Sequence, residues 1–74
     1  MSGVIKRSIE IAGHRTSITL EDEFWSALHE IADARGKTLR GLIGEIDTKR
    51  GDNNLSSAVR LYVLRTYREA SGTV

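Results

Sequence analysis

Between residues 15 and 28 the spacing of hydrophobic positions changes from two to three or four. Arg15, Thr16, Ser17, Ile18, Thr19 and Leu20 alternate as in a half-buried strand, whereas Phe24, Leu28, Ile31 and Ala32 recur at helical spacing. No proline or glycine separates the two regimes, so a short strand is predicted to run almost directly into a helix. A lone strand cannot satisfy its own backbone hydrogen bonds and needs a partner. Residues 4 to 12 alternate too, with Ile5, Ile9 and Ile11 against Lys6, Ser8 and Glu10. The apolar residues are odd-numbered there and even-numbered from Thr16 to Leu20, so the phase shifts between Ala12 and Arg15. Gly13 is the natural place for the shift, as a bulge or as part of a hairpin turn. Two arrangements stay open: residues 4 to 12 fold back on the second strand, or they extend as an arm.

Three helices follow. The first is predicted to start near Thr19 or Leu20, with Thr19 as cap, Asp22 three residues on, and Glu21, Asp22 and Glu23 at the positive end of the dipole. It stops at Arg35–Gly36, where glycine supplies a left-handed terminus. Trp25 and Ala27 broaden its apolar stripe, and helical spacing favours Trp25 as a core or dimer contact over a ligand-stacking residue. Thr38 is placed to cap a second helix carrying Leu39, Leu42, Ile43 and Ile46. Its Gly41 and Gly44 each weaken it by about 1 kcal/mol relative to alanine and allow close packing. Residues 49 to 54 read as a loop. Asn53 or Asn54 then caps a third helix through Leu55, Ala58, Val59, Tyr62, Val63, Thr66 and Tyr67, which Leu61 and Leu64 make apolar on more than one side. The chain from Ser71 onward is expected to fray.

Composition narrows the chemistry. Seventy-four residues make one domain at most, and without cysteine there is neither a disulfide nor a thiolate metal site. His14 and His29 fall on different predicted elements, so no metal or other cofactor is expected. The glycines are scattered rather than gathered in a phosphate loop, and the acids Glu21 to Glu23 suit a helix first turn without catalysis. The chain is read as no enzyme. No apolar run reaches membrane-spanning length, and none near Met1 would serve as a leader, so a soluble, cytoplasmic protein is expected. The net charge of +1 hides a strong segregation. Residues 21 to 34 carry Glu21, Asp22, Glu23, Glu30 and Asp33 with no lysine or arginine. Residues 35 to 50 carry Arg35, Lys37, Arg40, Lys49 and Arg50 against Glu45 and Asp47. A solvated helix surface and a basic binding face explain this distribution about equally.

The order strand, helix, glycine turn, helix resembles the ribbon-helix-helix DNA-binding proteins, the group of the Arc and MetJ repressors. The resemblance covers about residues 14 to 46: alternating Arg15 to Leu20, the stripe Phe24, Leu28, Ile31 and Ala32, the break Arg35-Gly36-Lys37-Thr38, and Leu39, Leu42 and Ile43. The run Gly13 to Glu21 followed by Phe24-Trp25, with Asn54 to Arg60, is similar to a small bacterial subfamily.

What the resemblance implies is a mainly α fold with a short β-ribbon, built as an intertwined homodimer whose strands pair antiparallel between subunits. To this a third helix is added. The ribbon enters the major groove of double-stranded DNA, with Arg15, Ser17 and Thr19 facing base edges and Thr16, Ile18 and Leu20 facing inward. The start of the second helix, at Lys37, Thr38, Leu39 and Arg40, would hold a phosphate. In an arm, Lys6 and Arg7 would contact phosphates as well. The chain thus divides into an arm or extra strand (1–13), a ribbon-helix-helix core (14–50), and a loop with the C-terminal helix (51–74). The expected function is a sequence-specific DNA-binding protein acting as a transcriptional repressor, self-associating as a dimer or higher assembly on DNA. The alternative is a protein-interaction or antitoxin-like module that binds a partner through its C-terminal helix.

Overall fold

The computed structural model describes residues 3–71. Two strands, β1 (Val4–Ile11) and β2 (His14–Glu21), are followed by three helices: α1 (Asp22–Ala34), α2 (Leu39–Lys49) and α3 (Leu55–Ala70). The strands pair antiparallel in a single two-stranded sheet, from Val4 opposite Glu21 to Ile11 opposite His14. Residues 4 to 12 therefore fold back. β2 thus has one strand partner within its own chain, closed by a two-residue turn at small entropic cost, and the intersubunit pairing that the resemblance implies would come in addition to it.

Ala12 and Gly13 form that turn, with φ of 51° and 83°. Positive φ at both central positions is the mark of the type I′ turn, whose twist matches that of the strands it joins. The turn also resolves the phase shift. Every cross-strand pair joins an odd-numbered residue of β1 to an even-numbered one of β2, or the reverse. Ile5, Ile9 and Ile11 therefore share a face with Thr16, Ile18 and Leu20. Nothing lies within 4 Å of a Cβ built on Gly13, so its conformation alone requires glycine. Gly13→Val is expected to destabilise the fold by about 1–2 kcal/mol or slightly more, whereas Ala12→Asn should be neutral or stabilising. Urea unfolding midpoints of the two variants check this.

β2 passes into α1 without a break, but two residues later than the sequence indicates. Thr19 stays extended, and the cap is Glu21, which makes no side-chain cap bond. The Thr19 N–H donates to Ser56 Oγ at 3.0 Å, and Arg60 Nη2 donates to the Thr19 carbonyl at 3.1 Å. Together with pairing to Lys6, these bonds hold Thr19 in the strand. The other two helices start as expected. Thr38 Oγ1 accepts from the Gly41 N–H at 3.0 Å, and Asn54 Oδ1 accepts from the Ser57 N–H at 2.8 Å. A Cβ on Gly41 would lie 3.0 Å from Thr38 Oγ1, so this glycine leaves room for the cap. Gly44 is the packing glycine, 3.4 Å (as Cβ) from Ile11.

The core lies beneath the inner face of the hairpin. Ile18, Leu20, Leu28, Leu42, Ile43 and Val59 are its fully buried side chains, drawn from β2 and all three helices. α2 packs against β1 and α3 against β2, while α1 touches β2 and both other helices. Phe24 and Trp25 are half-buried at the edge of this core. The remaining tail, where fraying was expected, lies beyond the described residues except for Ser71. Among the described residues no helix is long and apolar enough to cross a membrane.

Candidate nucleic-acid interface

The inner face of the hairpin is committed to the core, which leaves its outer face to solvent. Arg15, Ser17 and Thr19 lie on that outer face, and the register sets Glu10 opposite Arg15, Ser8 opposite Ser17, and Lys6 opposite Thr19. Arg15 and Ser17 are exposed and Thr19 is half-buried, its backbone covered by α3. The three predicted base-reading residues thus share one surface. Lys6 and Ser8 join them there, as two members that an arm would have held elsewhere. Their parity is the signal: in β1 the polar residues are even-numbered and pair with the odd-numbered polar residues of β2. Among the described residues, neither Lys6 nor Arg15 makes an ion pair.

Arg7 behaves differently from its neighbour Lys6. Its odd number places it on the inner face, where the guanidinium carbon stands 4.3 Å from the centre of the Trp25 ring. Its Nη2 reaches Asp22 at 3.5 Å, and Nη1 is buried without a partner. A guanidinium over an indole face is an electrostatic and packing contact that ties the hairpin to α1. Trp25 also meets His29 edge-on, with ring centres 5.4 Å apart. Arg7 is therefore structural here rather than a phosphate contact.

The four residues predicted to hold phosphate sit together at the start of α2. Thr38 gives its hydroxyl to the cap, which leaves the N–H groups of Leu39 and Arg40 as the open donors of the first turn. Leu39 and Arg40 line one groove with Ser8, Glu10 and Arg15. The start of α2 and the outer face of the hairpin are thus neighbours, so a single ligand could touch both. Ser17 and Thr19 border a second depression, with Arg60 and the start of α3.

The two cations at the start of α2 are unequal. Lys37 Nζ donates to both carboxylate oxygens of Glu45, at 2.7 and 2.6 Å. The Lys37 ammonium holds the Glu45 carboxyl below its ordinary value, against a smaller desolvation effect. Arg40 is exposed and has no ion pair among the described residues. Glu21 at the end of β2 is likewise held below its ordinary value, first by a backbone hydrogen bond and then by Arg60, whose Nε stands 3.0 Å away. Arg60 thus spans Glu21 and the Thr19 carbonyl, and its charge is spent on the fold.

A model of the ribbon-helix-helix domain matches residues 4–67 of the chain. No curated protein matches. Among solved structures, an uncharacterized protein from Bordetella pertussis Tohama I is similar, with 31% identity and a TM-score of 0.75. The similarity covers 97% of this chain and 62% of that one, so the chain spans less than two thirds of its neighbour's length.

Proposed function

Because the chain belongs to the ribbon-helix-helix family, a non-enzymatic family of DNA-binding regulators, we propose that it reads a specific DNA sequence with the outer face of its own hairpin and acts as a transcriptional repressor. One observation carries this reading: Arg15, Ser17 and Thr19 stand in a row on a two-stranded ribbon whose opposite face is buried. A major groove roughly 12 Å wide admits two strands. Arg15 has the geometry to give guanine a bidentate pair, and Ser17 can donate or accept. Arg40 and the open N–H groups of α2 lie beside the ribbon, where they would bind the flanking phosphate. A homodimer, as the family implies, is a second part of the proposal.

The test is a fluorescence anisotropy titration of the full chain against a pool of genomic fragments, at several salt concentrations. Saturable binding that prefers particular fragments and weakens steeply with salt supports the reading. Failure to bind any fragment at low salt would sink it. A charge substitution sharpens the phosphate assignment. Glu45→Gln releases Lys37, and is expected to raise affinity severalfold for all fragments alike, with a salt slope steeper by about one. Arg40→Ala should lower it, again across all sequences.

The alternative, a protein-interaction or antitoxin-like module, has one observation in its favour. Leu61, Leu64 and Tyr67 of α3 are exposed large apolar residues. α3 cannot simply be removed to test it, because Leu55, Ala58, Val59 and Val63 belong to the core. Leu64→Glu, which leaves the core intact, is the informative variant: loss of a copurifying partner with DNA binding unchanged would favour this second reading.

A further inference from the structure

A cavity of about 230 Å³ opens between α2 and α3, beside the end of α1. Its apolar walls are Leu42, Ile46, Ala58, Leu61 and Tyr62. Leu42, Ile46 and Ala58 are buried, so this apolar bed is part of the core itself. Four cations line the same space: Arg35, Lys49, Arg50 and Arg65. Arg50 is committed to Asp47 and to the Asn53 carbonyl. Arg35, Lys49 and Arg65 are exposed and make no ion pair among the described residues. The Arg35 guanidinium carbon stands 5.4 Å from the centre of the Tyr62 ring. Glu45 is the cavity's own carboxylate, and both of its oxygens are taken by Lys37. Tyr62 adds a hydroxyl that is buried without a hydrogen-bond partner.

We propose that this cavity binds a small organic dianion with an apolar body, such as an aryl phosphate or an aryl dicarboxylate. Charge and size select the occupant. Three uncommitted cations around one opening call for more than a single negative charge, and guanidinium groups hold phosphate or carboxylate oxygens in pairs. The apolar bed calls for a hydrocarbon part, which a bare ion lacks. An apolar cavity of about 150 Å³ holds one benzene ring, so the larger space here takes a ring with its charged group. A DNA backbone fits the site poorly. No residue of the hairpin lines it, and phosphodiester contacts draw on charge and N–H groups rather than on a leucine and isoleucine bed. The proposal is therefore independent of the DNA reading.

Nuclear magnetic resonance titration of the full chain, without DNA, tests it. The probes are phenyl phosphate and phthalate as ring-bearing dianions, inorganic phosphate as charge alone, and benzyl alcohol as ring alone. Phenyl phosphate or phthalate should shift the amides of Ile46, Ala58 and Tyr62 saturably, with a Kd of about 1 mM or tighter. Whichever of the two binds more tightly identifies the anionic group. Inorganic phosphate and benzyl alcohol should each bind at least about tenfold more weakly. Lys49→Ala and Arg65→Ala should each weaken the dianion about five- to tenfold, whereas Arg68→Ala, an exposed cation of α3 outside the cavity, should leave it unchanged. All three positions are exposed, and the amide spectrum of each variant reports that it is folded. Absence of saturable shifts, inorganic phosphate binding as tightly as the ring-bearing probes, or an equal loss with Arg68→Ala would each overturn the assignment. So would shifts of the same amides on dilution of the chain alone, which would mean that a second copy covers the cavity.

Discussion

Arg15→Ala is expected to lower affinity for the preferred DNA sequence by roughly 1–3 kcal/mol, about one to two orders of magnitude, while leaving weak binding to unrelated DNA nearly unchanged. Geometry sets this expectation. Arg15 occupies the first outer-face position of β2 after the turn and is exposed there. Glu10 stands opposite, yet makes no ion pair with it among the described residues, which leaves the whole guanidinium fork free to face guanine. A lysine at this position keeps the charge and loses the fork, so Arg15→Lys should recover the general affinity and little of the discrimination. Competition titrations with matched and single-base-changed duplexes distinguish the two effects. An equal loss on every duplex would make Arg15 a phosphate contact instead.

Ile18→Ala is expected to destabilise the protein by about 2–5 kcal/mol. A domain of this size has on the order of 5 kcal/mol of total stability, so the variant should be largely unfolded at physiological temperature. Ile18 is completely buried, and it is the side chain through which the hairpin plugs into the helices. Its removal opens a cavity that Leu28 and Val59, themselves held by α1 and α3, cannot collapse to fill. Thermal unfolding followed by far-ultraviolet circular dichroism checks it. A shift of only a degree or two would mean that the ribbon is anchored elsewhere. Ser17→Ala, one position away on the outer face, is the matched control and should leave the midpoint unchanged.

Much of this fold can be read from residue spacing. Thr38 and Asn54 cap where local chemistry places them, because a cap competes only with its own neighbours. The stripe of Leu28, Ile31 and Ala32 is buried as its period demands. Where the expectation departs from the structure, the deciding partner is remote in sequence. Thr19 with Asp22 three residues on has the makings of a helix start. What keeps it in the strand is Ser56 and Arg60, thirty-seven and forty-one residues away. The pairing of Lys37 with Glu45 crosses from a loop into a helix, where no fixed periodicity announces it.

The strand partner is the most instructive case. Alternation in β2 is the same whether the neighbouring strand comes from this chain or another, so the pattern cannot tell hairpin from intersubunit ribbon. Only the phase shift around Gly13 bears on the choice, and it is compatible with a bulge as well as a turn. Arg7 was legible in principle. Its odd number groups it with Ile5, Ile9 and Ile11, and a cation at an inward position calls for an aromatic or acidic neighbour, which Trp25 and Asp22 provide.

Closure of the core within one chain bears on how the protein behaves at very low copy number. When two chains must intertwine to fold, dilution alone dissociates and unfolds them, so the folded fraction depends on protomer concentration. Here β1 gives β2 a partner in its own chain, and Ile18 and Leu20 of that hairpin pack into one core with side chains of all three helices of the same chain. Dilution is therefore expected to separate subunits of an assembly before it opens the hairpin of either one.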